Sequence, residues 1–167
     1  MELIILRIIH VVGAIMWVGG GLFMAFFLGP VLQTMGPAAG QVMGGLQKRK
    51  FMVVLPIIAL LTMLSGLRML MIVSGNFGAG YFQTGPGKTF SMAGGAAILA
   101  FLIGLVVNRP TMVKMGALQQ QMASNPANKD AIAAEMQALQ KRLGMAGWAV
   151  TILLLIAAVG MSVARYM

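Results

Sequence analysis

Residues 3–28, LIILRIIHVVGAIMWVGGGLFMAFFL, form one long, nearly uninterrupted apolar run. Its 26 residues include only Arg7 and His10 as charged or titratable side chains. A helix of about 20 apolar residues crosses the roughly 30 Å hydrocarbon core of a bilayer. The run exceeds the roughly 7–15 residues of a secretory h-region, and it lacks a basic lead-in and a convincing cleavage site. It therefore reads as a retained transmembrane helix. The rest of the chain agrees: 59% of its 167 residues are hydrophobic, 9% are charged, and mean hydropathy is +0.90. Soluble domains carry about 25% charged residues.

Three further stretches qualify as spans, at residues 51–73, 89–107 and 145–164. The expected fold is all-α: one integral membrane domain over residues 1–167, built as a four-helix bundle. Its connections are short enough for neighbours to pack up-down-up-down. Residues 29–50 read as a Gly/Pro/Gln-rich loop, and residues 74–88 (SGNFGAGYFQTGPGK) as a turn-rich one. In the longest connection, residues 111–123 continue the third span past the membrane surface. Residues 130–143 (DAIAAEMQALQKRL) form an amphipathic helix, apolar at Ile132, Met136, Leu139 and Leu143, with Asn128 as N-cap.

Charge sets the orientation. The chain has 12 Lys and Arg against 3 Asp and Glu, a net +9. Eight of the basic residues lie in two connections: Lys48, Arg49 and Lys50 in the first, and Arg109, Lys114, Lys129, Lys141 and Arg142 in the third. Short cytoplasmic loops carry the Lys/Arg excess, so both termini are expected outside. The expected location is the bacterial inner membrane, with the bilayer as first partner and anionic headgroups as counterions. No nucleic-acid motif accompanies the charge.

Scarcity removes most chemistry. There is no cysteine, one histidine, and no acid within a hydrophobic run. Disulfides, thiolate catalysis and iron–sulfur clusters are excluded, and carboxylate-pair catalysis has no residues to use. No protein-only catalytic constellation is visible.

What remains is polar residues inside spans, each a functional hypothesis because burying charge there is costly. Arg7, His10 and Arg68 qualify, with Lys88 at the boundary. His10 lies about 10 Å below the outer end of the first helix, and Arg68 roughly 8 Å below the same surface. Arg7 is one turn above His10, and Lys88 opens the third helix. The His10 face continues through Gly13, Ala14, Trp17, Gly21 and Met24, where small residues beside an aromatic suit either close helix packing or a flat ligand. His10 also suits a hydrogen-bonded core or interfacial position, Arg7 and Arg68 snorkelling to the surface, and Lys88 an anchoring role.

A histidine within a helical bundle is an axial ligand of haem iron. Arg and Lys near the surface suit anionic propionates. Haem b bound by His10, beside Trp17 and with Arg7, Arg68 and Lys88 near the propionates, is therefore the leading expectation. It implies a redox or electron-transfer role in which the haem carries the chemistry. A single histidine leaves the sixth position to methionine, water, or His10 of a second copy in a homodimer. Copper is the alternative, since the 17 methionines offer thioethers suited to Cu(I). The third reading is a non-catalytic accessory subunit of a larger membrane complex, packing through its glycine-rich faces.

The segment IIHVVGAIMWVGGGLFMAFFLGP resembles the first helix of a superfamily of small bacterial membrane proteins. It includes the copper resistance protein D (CopD) family and the HemJ-type protoporphyrinogen oxidases. The shared pattern is an early histidine, a tryptophan two turns on, glycines and a closing proline: here His10, Trp17, Gly19 to Gly21 and Pro30. Pro56, Ser65 and Gly66 of the second helix and Lys88 before the third are similar to the family's residues there. The resemblance covers about the first 110 residues. It implies a helical bundle binding haem b through His10, with porphyrinogen oxidation or a copper- or redox-related role. Where the oxidases carry Pro-Arg-Leu after the first helix, this chain has Gly29-Pro30-Val31-Leu32, which points to the less characterised relatives.

Overall fold

A computed structural model describes residues 1–124 and 129–167, all helix and turn with no strand among them. Seven α-helices follow one another: α1 (Glu2–Phe23), α2 (Gly29–Thr34), α3 (Ala39–Lys48), α4 (Phe51–Val73), α5 (Gly85–Ile103), α6 (Arg109–Ser124) and α7 (Lys129–Val163). Four helical stretches among the described residues are long and apolar enough to cross a membrane: Glu2–Thr34, Phe51–Val73, Gly85–Met122 and Asp130–Tyr166. This is a multi-pass membrane protein by composition and length.

Several boundaries differ from the sequence reading. The loop expected at 29–50 is mostly helical, as α2, a 3₁₀ turn at Gly36–Ala38, and α3. The third span starts at Gly85 rather than at residue 89. Thr84 caps it, its hydroxyl oxygen accepting from the Gly87 N–H at 3.1 Å, and Pro86 falls in the first turn, where its missing N–H costs nothing. The amphipathic segment 130–143 and the span from 145 are one helix, α7, because Gly144 alone does not stop a helix whose neighbours favour it. The proposed cap Asn128 lies outside the described residues.

Two π-helical turns join helices into longer rods. Met24–Leu28 links α1 to α2, and Gly104–Asn108 links α5 to α6. Each stands just before a proline, Pro30 and Pro110. A proline in a regular helix loses one backbone bond and clashes with the carbonyl four residues back. The π turn shifts the ladder by one residue, so Gly29 N–H reaches Met24 O and Arg109 N–H reaches Gly104 O. The two rods keep one register: Gly13 and Ala93, Met24 and Gly104, and Pro30 and Pro110 are each 80 residues apart. Gly13 and Ala93 are both buried at close helix crossings.

The closest packing is α1 along α4 and α5 along α7, with α1–α7 and α4–α5 contacts closing the group. Small residues permit it. A methyl built on Gly13 would sit 2.2 Å from Thr62 Oγ1, and one on Gly160 2.8 Å from Ala93 Cβ. Without a hydrophobic force between helices in lipid, such close approach supplies the van der Waals attraction. The core is small: Trp17, Ala59, Ala100 and Leu154 meet at its centre, with Leu55, Ile58 and Phe101 against them. Buried positions include Thr62, Ser65, Thr111 and Thr151, while Phe27, Leu64, Ile152 and Val159 are exposed. Polar-in and apolar-out is the profile of a surface that meets hydrocarbon. The buried hydroxyls are satisfied by carbonyls of their own helices, as when Thr151 Oγ1 donates to Gly147 O at 2.8 Å.

Candidate functional site

His10 lies in the α1–α4 seam. Its Nδ1 is 2.7 Å from the Thr62 carbonyl oxygen, and its ring rests over Gly66, where a methyl would come within 2.6 Å of Cε1. A carbonyl only accepts, so Nδ1 carries the hydrogen. In the neutral ring the lone pair is then on Nε2, which has no hydrogen-bond partner among the described residues. Two hydroxyls complete this polar seam: Ser65 Oγ donates to Leu61 O and Thr62 O at 2.8 and 2.9 Å, and Thr62 Oγ1 to Ile58 O at 2.8 Å. Thr62 O thus receives two side-chain donors, one from each helix.

The other predicted residues do not gather around the imidazole. Trp17 is buried at the bundle centre, edge-on to Phe101 with ring centroids 6.3 Å apart. Two turns from His10, it fills the core. Arg68 is engaged elsewhere: its Nε donates to Glu2 Oε1 at 2.8 Å, with both side chains about half exposed, and its Nη1 approaches Met71 Sδ at 3.6 Å. The sequence reading put His10 and Arg68 at one depth, but the pairing of Arg68 with Glu2 draws the guanidinium toward the chain's first turn. Arg7 is exposed and lines a shallow groove with Ile4, Ile8 and Val11 on the outer face of α1. Lys88 is exposed in the first turn of α5. Neither makes an ion pair among the described residues.

Sequence reasoning singled out His10 but not Thr62, and noted Ser65 and Gly66 only through the resemblance. The usable signal was the spacing of Thr62, Ser65 and Gly66, which share one face of α4 at three- and four-residue steps. Glu2 was overlooked because it lies outside the hydrophobic run.

If a metal were bound, His10 would be the residue to hold it through Nε2: a histidine bound to metal through one ring nitrogen commonly donates its other N–H to a carbonyl, as Nδ1 does to Thr62 O. Arg7 and Lys88 make no ion pair among the described residues and Arg68 is paired with Glu2, and none of the three is placed beside the imidazole. No three His, Cys, Asp or Glu side chains among the described residues converge on a metal position, so a copper site would need methionine sulfur.

Compared with family models, curated proteins and solved structures, the chain gives no match.

Proposed function

We propose that this chain is a haem b-binding protein of the bacterial inner membrane with a redox or electron-transfer role, its haem ligated by Nε2 of His10. The observation that carries the reading is the bond from Nδ1 to Thr62 O. It presents Nε2 as the lone-pair nitrogen and holds the ring at a fixed angle in the seam. The resemblance of the first helix to the CopD and HemJ-type proteins supports it. When bound, haem supplies the one-electron chemistry. The chain's own contribution is to orient the imidazole, offer Arg7 and Lys88 to anionic groups, and keep the seam dry.

The orientation proposed is up-down-up-down with both termini outside. Its support is that contacts run in opposite senses along paired helices: Glu2 meets Arg68 while Gly13 meets Thr62, and Gly85 meets Met167 while Ala93 meets Gly160. The eight-residue basic excess then lies at the opposite, cytoplasmic end.

The test is a visible spectrum of detergent-purified protein, oxidised and then dithionite-reduced, for wild type and His10→Ala. A Soret band in wild type that is lost or shifted in His10→Ala supports the proposal. No Soret band in wild type overturns it. Copper by elemental analysis without a porphyrin band would favour metal handling instead. The accessory-subunit reading has one observation of its own: the imidazole fills the notch over Gly66, as a packing residue would. A colourless, metal-free protein would select it.

A further inference from the structure

We infer that the chain seats one anionic phospholipid at Arg109. The rod α5–α6 carries a shallow, open apolar strip on its outer face, lined by Leu105, Val106 and Val113, with Arg109 and Lys114 beside them. The strip is lipid-facing, since Val106 and Val113 are 65% and 68% exposed, while Thr111 on the other side is buried against the bundle.

Depth places the strip where a headgroup sits. Lys88 opens α5, and Arg109 follows 21 residues later. At about 1.5 Å per residue that is roughly 32 Å, close to the thickness of the hydrocarbon core. With Lys88 at one surface, Arg109 stands at the other, with Leu105 and Val106 on its hydrocarbon side and Val113 and Lys114 about one turn beyond it at headgroup level.

Charge selects the occupant. Lys114 is neutralised by Glu135, 2.6 Å away. Arg109 makes no ion pair among the described residues. Its guanidinium can take two phosphate oxygens at once. The occupant therefore has one phosphate over Arg109, an acyl chain running back along Val106 and Leu105 into the bilayer and, because Arg109 has no ion-pair partner among the described residues, no cation of its own in the headgroup, which is a phosphatidylglycerol-type lipid. The companion rod has no such seat, because Gly29 holds the position 80 residues before Arg109.

The experiment uses the full chain in mixed phosphatidylglycerol/phosphatidylcholine micelles, with retained lipid counted by native mass spectrometry. Wild type is expected to retain phosphatidylglycerol over phosphatidylcholine, and Arg109→Gln to lose about fivefold of that preference, equivalent to about 1 kcal/mol per cation near an anionic surface. Arg49→Gln, on the turn between α3 and α4, is expected to keep it. Equal retention of the two lipids by wild type overturns the inference without any variant. So do an unchanged preference in Arg109→Gln and an equal loss in Arg49→Gln, which would mean a diffuse basic surface. Displacement by millimolar inorganic phosphate would also overturn it, since a free-anion site has no use for the apolar strip.

Discussion

The contact between His10 and Gly66 gives the sharpest expectation. Gly66→Ala puts a methyl 2.6 Å from Cε1 and 2.9 Å from Nδ1, where ordinary contact begins at 3.4 Å. The ring must retreat by about 0.8 Å, which stretches the 2.7 Å bond to Thr62 O to the limit of a hydrogen bond. Losing that bond costs about 0.5–1.5 kcal/mol. Overpacking costs about 1–3 kcal/mol, and removing a mid-helix glycine returns about 0.5–1 kcal/mol. The net loss should be about 1–3 kcal/mol. It is measured by SDS-driven unfolding from mixed micelles, following the near-ultraviolet signal of Trp17 and Trp148. The double variant His10→Ala/Gly66→Ala separates the mechanism from a general intolerance of α4. With the ring gone the methyl has room, so the double variant should be more stable than the sum of its single variants by about 1–2 kcal/mol. Strict additivity, or a Gly66→Ala protein as stable as wild type, would refute the reasoning.

Gly87→Ala should destabilise by more than about 2 kcal/mol, because the added methyl meets backbone, 2.0 Å from Tyr81 O, which cannot rotate away; thermal unfolding in detergent reads it. Gly95→Ala, with nothing within 4 Å of its methyl, should be neutral or stabilising by up to about 1 kcal/mol in the same assay. Breaking the half-exposed Lys114–Glu135 pair should cost under about 1 kcal/mol, checked by a double-mutant cycle at low and high salt. Gly13→Ala should be rescued in part by Thr62→Ala, which removes the hydroxyl 2.2 Å from the new methyl; equal instability of the single and double variants would argue against that contact.

Much of the architecture was legible because the bilayer imposes a length and composition that one run of sequence must meet alone. Residues 3–28 and 51–73 are long, apolar and almost uncharged, so their helical, spanning character needs no partner to be read. The helical continuation of the third span beyond residue 111 was also read, although that segment is polar and lies past the membrane surface. Helix ends were harder. Thr84 and Pro86 form a start signal that hydropathy does not register, since Gly85–Lys88 looks like turn by composition. Gly144 looks like a stop, yet the 35-residue helix α7 runs through it, because the strong helix formers on either side outweigh the cost of about 1 kcal/mol for a glycine.

Composition and helical periodicity suffice to show that the chain is helical, membrane-spanning and poor in titratable groups, with a single imidazole one turn from an arginine on the first helix. These are properties of composition and of a fixed 3.6-residue period. Only the tertiary structure decided what each polar group meets. A depth estimate along two helices could bring His10 and Arg68 to one level, but it could not choose between neighbours at that level. Packing made the choice. Gly66 and Thr62 let α4 approach α1 closely enough for His10 to reach a carbonyl, and Glu2 drew Arg68 away to the end of the bundle. Side-chain partnership depends on interhelical distance and rotation. Both are set by small residues on two separate helices together, so neither helix encodes them alone.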